Sequence, residues 1–441
     1  MQPVNCKHWS PHTELKLSGI GKCAIGARRN PSAGACAHCD KCDPAIPLVD
    51  VILKNRQGAG DQVLLTGVVR DLVKSNPGRF RVAVDCWGSD LFACNPYITP
   101  REKLDKGARH LPVEGFAADQ DAPHVLTQMS HGLADRLAVQ IRTSRLGGDI
   151  HMAAHERRAP HPYGGEPYWI AWFGGHLSTT TKLWNPESAA EVVAHFRGRL
   201  RFVHVGAADH WHPQIPGAER LVGNTPMRAM VNLMYHAAGG IGPISFGMHL
   251  AAAVPVKPGS IVMRRPFVVL AGSRESVNIC QYPNHTVLHS IGKLRCCRSG
   301  PCWKNHTQGP NVECDQPMDV LPETPKIARC MDEIKPRHVI DAIEGYLDAE
   351  EDARRAMRLA QIRAVQIAQQ TRPVCVACGH HTGLSPAKLV AYCDSPKARQ
   401  CCGSRTVGSV LLGSGVCPEG KWSAADVSID KPRKLELAVL R

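Results

Sequence analysis

The sequence predicts an α/β protein of two Rossmann-like domains facing each other, with small cysteine-rich additions. Three observations carry this. Residues 48–85 read as strand, glycine-rich turn, helix and strand, the opening of a doubly wound domain. A second alternation of the same kind runs from 168 to 271. The 19 cysteines fall mostly outside both alternations, in three clusters.

Taken in order, LVDVILK at 48–54 is a mostly apolar run that reads as a buried strand. It enters Gly58-Ala59-Gly60-Asp61, and then Val63, Leu64, Val68, Val69, Leu72 and Val73 recur at helical spacing. FRVAVD at 80–85 is the second strand, and 124–139 is a helix with Leu126, Met129, Leu133 and Leu137 on one face. Residues 150–167 read as a linker. The second alternation starts with a strand at 168–173 and a Ser/Thr-rich turn ending in Lys182. Helices are expected at 186–196, 226–238 and 248–254, and strands at 200–205, 240–244 and 266–271. Helical pattern resumes at Pro336 and continues to about residue 370, its second half rich in strong helix formers. The expected organisation is an N-terminal cysteine module at 1–46, a first domain at 47–160 and a second at 165–350 with a cysteine finger at 296–330. A helical linker at 351–371 and a C-terminal cysteine module at 372–425 complete it.

At 441 residues the chain is long enough for a sizeable core, and its 43% hydrophobic and 21% charged residues are ordinary for a globular protein. The N-terminus is polar, with no apolar signal segment, and no run approaches a membrane span. A cytoplasmic protein with thiolate–metal sites is the expectation. The net charge of +14 suggests nucleic acid, but eight of those charges lie in the cysteine-rich ends. Each divalent metal held by four thiolates carries a net charge of −2, so three such sites would lower the total to about +8.

The turn at Gly58, Gly60 and Asp61 suits close backbone approach and an anion at a helix N-terminus. Its aspartate either caps the helix or offers a carboxylate to the cleft as a general base. The turn is neither GxGxxG nor a P-loop. Cys297, Cys302, Cys314 and Cys330 supply four soft ligands suited to structural iron or zinc, with Cys296 an alternative to Cys297 or a spare. Cys375-x2-Cys378 with Cys393 and Cys417 reads as a metal-stapled module with too few apolar residues for its own core. Cys36-x2-Cys39-x2-Cys42 suits zinc or an iron–sulfur cluster.

Four ordered segments resemble glycosyltransferase family 9, the ADP-heptose:lipopolysaccharide heptosyltransferases and their relatives. VILKNRQGAGDQVLLTGVVRDLVKSNP resembles the family's N-terminal signature, and GGHLSTTTKLWNPESAAEVVAHF its donor-phosphate loop and following helix. GPISFGMHLAAAVPV resembles its Asp-Ser-Gly-Pro-Met-His-Leu segment. The run from LRCCRSGPCW to CMDEIKPRHVIDAI resembles the four-cysteine iron finger of autotransporter heptosyltransferases followed by the family's terminal helix. The resemblance covers about 47–350.

It implies a GT-B fold, with an N-terminal acceptor domain and a C-terminal nucleotide-sugar domain. It also implies an inverting transfer of a sugar, heptose by default, from an ADP-linked donor to a hydroxyl in cell-surface glycan or glycoprotein assembly. Asp61 matches the proposed base. Gly58, Gly60, Gln62, Thr180, Thr181, Lys182, Ser245, Met248 and His249 are the candidate donor-binding positions, with no metal in the transfer chemistry. The implied partners are a nucleotide-sugar donor and a glycan or protein acceptor, with room for peripheral contact with the inner membrane and no nucleic acid. The chain departs from the family at Ile244, where the pattern has Asp. Two other readings stand beside this one. The first is a zinc-rich nucleic-acid-binding protein with a degenerate transferase core, against which no basic stripe and no zinc-finger helix is seen. The second is a sugar-nucleotide epimerase of the same shape.

Overall fold

The computed structural model describes residues 48–115 and 122–377, with side chains to 363, and two short strand pairs outside that span. Trp9–Pro11 pairs antiparallel with Gly21–Cys23, and His381–Ser385 with Val390–Cys393. Two compact units divide the chain, Met1–Tyr346 and Leu347–Arg441. Among the described residues no helix is long and apolar enough to cross a membrane.

The first unit holds two parallel sheets. In the N-terminal half, β1 (Val49–Lys54) lies between β2 (Phe80–Asp85) and β3 (Arg109–Pro112), all parallel. Helix α1 (Ala59–Ser75) covers the sheet because its apolar positions recur at helical spacing. Val63, Leu64, Leu65, Val68, Val69 and Leu72 are all buried to 1% exposure or less. Helix α2 (Val125–Leu137) packs beside it, and ends at Ala138 in the left-handed conformation. The buried Arg70–Asp71 pair on α1 reaches Gly147 O and Arg145 O from its guanidinium, while Ser144 bonds Asp71. It straps the segment 144–149 across the helix.

The C-terminal half begins with β4 (Tyr168–Ala171) and α3 (Pro186–His195). They are followed by β5 (Arg201–His204), the two-residue β6 (Glu219–Arg220) and α4 (Met227–His236). Strand β7 (Gly239–Pro243), α5 (Phe246–Ala253), β8 (Phe267–Gly272) and β9 (His285–His289) complete it. The sheet order is β9-β8-β7-β4-β5-β6, parallel throughout. Parallel strands buried on both faces explain the unbroken apolar runs of β4 and β8. One buried charge holds two helix ends together. Arg265 donates to Tyr235 O and Ala237 O at the end of α4, and to Ala251 O, Val254 O and Pro255 O at the end of α5. Those carbonyls have no helical partner, so the guanidinium serves as a shared C-cap. Its complete burial lowers its pKa to about 10.

After β9 the cysteine-rich insertion carries one short antiparallel pair, Pro317–Met318 with Ile327–Ala328. The helix α6 then spans Pro336–Ala377, longer than the 336–370 expected from pattern. Strands β3 and β9 escaped the sequence reading. RHLP and HTVLH carry too few apolar residues to register as buried runs, and only the pairing with β1 and β8 makes strands of them.

Candidate active site

Several polar groups lie beyond the carboxyl ends of parallel strands, where α/β proteins place ligands. Asp61 follows β1 and Lys182 follows β4. Ile244 and Ser245 follow β7, and Glu275 follows β8. Strands β4, β7 and β8 are sheet neighbours, so three of these loops converge by topology.

Asp61 occupies the first turn of α1, after the N-cap Gly58. Burial pushes its carboxyl from 3.8 up to about 6, against the pull of the Lys182 ammonium and of the Gly58 and Asp61 N–H groups. Asp61 is thus not the helix N-cap, a position held by Gly58, but a first-turn carboxylate that is buried and interacts with the Gly58 and Asp61 N–H groups. Gly60 is required by a close approach, since a Cβ there would stand 2.7 Å from the His249 ring. Gln62, expected among the donor-binding positions, has its side chain engaged within the protein. It is fully buried, accepts from Gly88 N at 2.6 Å and donates to Gln57 O at 3.3 Å. It therefore ties the Asp61 turn to the loop after β2. The exposed Trp87 of that loop also donates to Gln57 O, at 3.1 Å.

On the opposite wall Lys182 Nζ lies 2.7 Å from Glu275 Oε1 and 2.9 Å from Ile244 O. Arg274 donates to the same Glu275 oxygen, while Glu275 Oε2 is buried without a partner. Thr180 and Thr181, expected among the donor-binding positions, turn their side chains elsewhere. Their side chains are 1% and 3% exposed, and the hydroxyls bond the cysteine insertion instead of opening to the cleft. Thr181 Oγ1 donates to Lys304 O at 2.8 Å, and Thr180 Oγ1 accepts from Thr307 N at 2.8 Å. They shape the loop that presents Lys182.

Ser245 caps α5 through its extended backbone, with no side-chain cap bond, and the first-turn N–H groups of α5 lack helical partners. Met248 is wholly buried, so only its backbone amide is available. His249 Nδ1 lies 2.6 Å from Tyr282 Oη, and Tyr282 stacks edge-on against His124 as well. Burial lowers His249 to about 3 and His124 to about 4, so both imidazoles are neutral at physiological pH. Sequence reasoning missed Glu275, Asn305 and Tyr282. No local motif flags them, since each is recruited from a loop more than 30 residues from its partner.

The insertion's thiols gather unevenly. Cys296, Cys302, Cys314 and Cys330 line one small cavity with Asp315. Cys297, expected among the ligands, is instead buried with its Sγ 3.5 Å from both Ser290 O and Leu294 O. Among the described residues no group of three or more His, Cys, Asp or Glu side chains converges so as to hold a metal ion. Cys36, Cys39, Cys42, Cys378 and Cys417 lie outside the described residues. Cys375 and Cys393 are described through the backbone alone.

Comparison with solved structures decides the architecture. A glycosyltransferase of family 9 from Veillonella parvula superposes with a TM-score of 0.50 at 15% identity, covering 68% of this chain and 98% of that one. The fold is GT-B. The Escherichia coli ADP-heptose lipopolysaccharide heptosyltransferase II also aligns, at 14% identity over 69% of this chain and all of that one, TM-score 0.46. So does the iron-containing dodecameric glycosyltransferase TibC of enterotoxigenic E. coli, at 17% identity over 70% and 79%, TM-score 0.46. No protein-family model and no curated protein matches the sequence. In a GT-B frame Asp61 belongs to the N-terminal wall, and Lys182, Ser245 and Glu275 to the C-terminal wall.

Proposed function

We propose that this chain is an inverting glycosyltransferase that moves a sugar from a nucleoside-diphosphate donor to a hydroxyl acceptor. The observation that carries the reading is a pairing across the cleft. A mostly buried carboxylate with a pKa of about 6 faces a buried-side ammonium, each at the carboxyl end of a parallel strand. Asp61 takes the proton of the acceptor hydroxyl as that oxygen attacks the anomeric carbon. The new C–O bond forms on the face opposite the donor phosphate, and the old one breaks with its electron pair leaving on the diphosphate. Lys182 and the first-turn amides of α5 offset the charge gathered there. His249, neutral and fixed by Tyr282, presents a hydrogen-bonding edge without adding charge.

The N-terminal half, 47–160, is read as the acceptor domain and 165–350 as the donor domain. The ordered motifs favour an ADP-linked donor with heptose as default, a cell-surface glycan or glycoprotein acceptor, and action in the cytoplasm. The soft thiols lining the insertion's cavity, Cys296, Cys302, Cys314 and Cys330, are the set that would hold a structural iron or zinc, with Cys296 in the place expected of Cys297. Metal analysis of the purified chain tests that part. Calorimetric titration with ADP and UDP, and with their sugars, tests the whole. Binding of ADP together with sugar transfer that Asp61→Asn abolishes is the expected result. No binding of any nucleoside diphosphate at millimolar concentration would refute it.

A further inference from the structure

We propose that Glu275 is the positioning residue for Lys182, and that the cysteine-rich insertion holds Glu275 in place through Arg274 and Asn305. The inference rests on the reading of Lys182 as the donor-phosphate group, but its geometry stands by itself. Lys182 has a flexible four-carbon stem, and nothing in its own 3-10 turn fixes the ammonium. Two acceptors from other strands fix it: Glu275 Oε1 at 2.7 Å and Ile244 O at 2.9 Å. Glu275 is 5% exposed and its second oxygen makes no hydrogen bond, so the carboxylate is kept buried by its cationic neighbours alone. Arg274 supplies the other cation. Its Nη1 meets Glu275, and its Nε and Nη2 both meet Asn305 Oδ1, the former at 3.0 Å.

Asn305 is the knot of the insertion. Its carbonyl accepts from Thr181 N at 3.1 Å, and its own N–H donates to Glu313 Oε2 at 2.5 Å. Two consecutive residues shortly before it, Cys302 and Trp303, donate their backbone N–H groups to Ser273 O and Arg274 O. A continuous path therefore runs from the segment after Cys302, through Asn305 and Arg274, to Glu275 and the Lys182 ammonium.

Lys182 and Glu275 act on Asp61 with opposite signs. The ammonium pulls the Asp61 proton affinity down more strongly than the Glu275 carboxylate pushes it up. The remaining groups facing Asp61 are the Gly58 and Asp61 amides, the neutral His249 against Gly60, and Tyr282. Glu275 is faced by Lys182, Arg274 and the Cys280 thiol. Removing Glu275 thus gives a signed answer. A mere neighbouring charge, once deleted, lets Asp61 titrate lower. A positioning residue, once deleted, releases the ammonium, and Asp61 titrates higher, as it does when Lys182 itself is removed.

The experiment follows Asp61 directly in the full-length chain labelled with carboxyl-13C aspartate, its signal identified by its loss in Asp61→Asn. Lys182→Met sets the upward reference. Glu275→Gln is expected to raise the titration midpoint by about half a pH unit or more. Glu275→Asp should recover part of the shift. Asn305→Ala, remote from the carboxylate, should raise the midpoint by less in the same direction, and it carries the test if Glu275→Gln does not fold. A midpoint that falls or stays put in these variants overturns the proposal. Calorimetry with ADP on the same samples separates the two readings: if the wild type binds no ADP the donor assignment fails, while the titration still decides the role of Glu275.

Discussion

The two walls of the cleft are built by different means. On the Asp61 wall the buried carboxylate, the helix N-cap Gly58 and the tie from Gln62 to Gln57 all lie within six residues of one another. On the Lys182 wall the ammonium is set by Glu275, and its loop by Asn305, Lys304 and Thr307, all more than 90 residues away. The first wall is a local motif whose place in the fold can be read from spacing. The second is an assembly whose residues mean little until the sheet has formed. Charge placed by local structure is robust to distant change, whereas charge placed by a relay depends on every link.

The comparison can be broken most severely at Asp61. Asp61→Asn is expected to lower the transfer rate by about 10²- to 10⁴-fold while changing ADP affinity by less than about twofold. Steady-state kinetics beside calorimetry would show it, and a large loss of ADP affinity would place Asp61 on the donor instead. Arg265→Ala tests the scaffold behind the Lys182 wall. Five helix-end carbonyls lose their donor, and about 3–5 kcal/mol of stability should vanish in denaturant unfolding. If the ammonium serves the phosphates as proposed, Lys182→Met should weaken ADP about 10- to 100-fold and leave adenosine binding unchanged.

Asp61 also predicts a trade-off between stability and function. Its folded pKa of about 6 lies above the ordinary 3.8, so the folded state binds the proton more tightly. Its stabilising contribution is present below pH 4 and is lost as pH rises through 6. Asp61→Asn should therefore be more stable than the wild type at pH 8, by on the order of 2–3 kcal/mol, with the gap closing towards pH 4. Unfolding curves at the two pH values measure this. Turnover should run the other way, falling as pH drops below about 6, because a protonated Asp61 cannot act as base. The smallest effect is expected of Thr181→Val. It removes the hydroxyl bonds to the insertion and costs about 1 kcal/mol of stability, with ADP weakened only a few-fold. A loss as large as that of Lys182→Met would mean that the hydroxyl touches phosphate directly.

Much of this protein is written along the chain. The 3.6-residue spacing from Val63 to Leu72 fixes α1, and apolar runs, unbroken in β4 and β8 and interrupted by Asp50 in β1, fix the strands, because burial on both faces leaves no polar alternation. The glycine-rich turn fixes where Asp61 stands, because a helix start is set by residues within one turn of it. The tertiary structure alone decided the rest. It made strands of RHLP and HTVLH by pairing them, and turned the Thr180 and Thr181 hydroxyls onto the insertion. It moved Cys297 to backbone carbonyls while Cys296 took the cavity, and it brought Glu275 to Lys182. The physical reason is one of range. Backbone propensity and periodicity act over a few residues. The direction of a flexible ammonium, a hydroxyl or a thiol is chosen by whichever distant partner leaves the fewest buried polar groups unpaired.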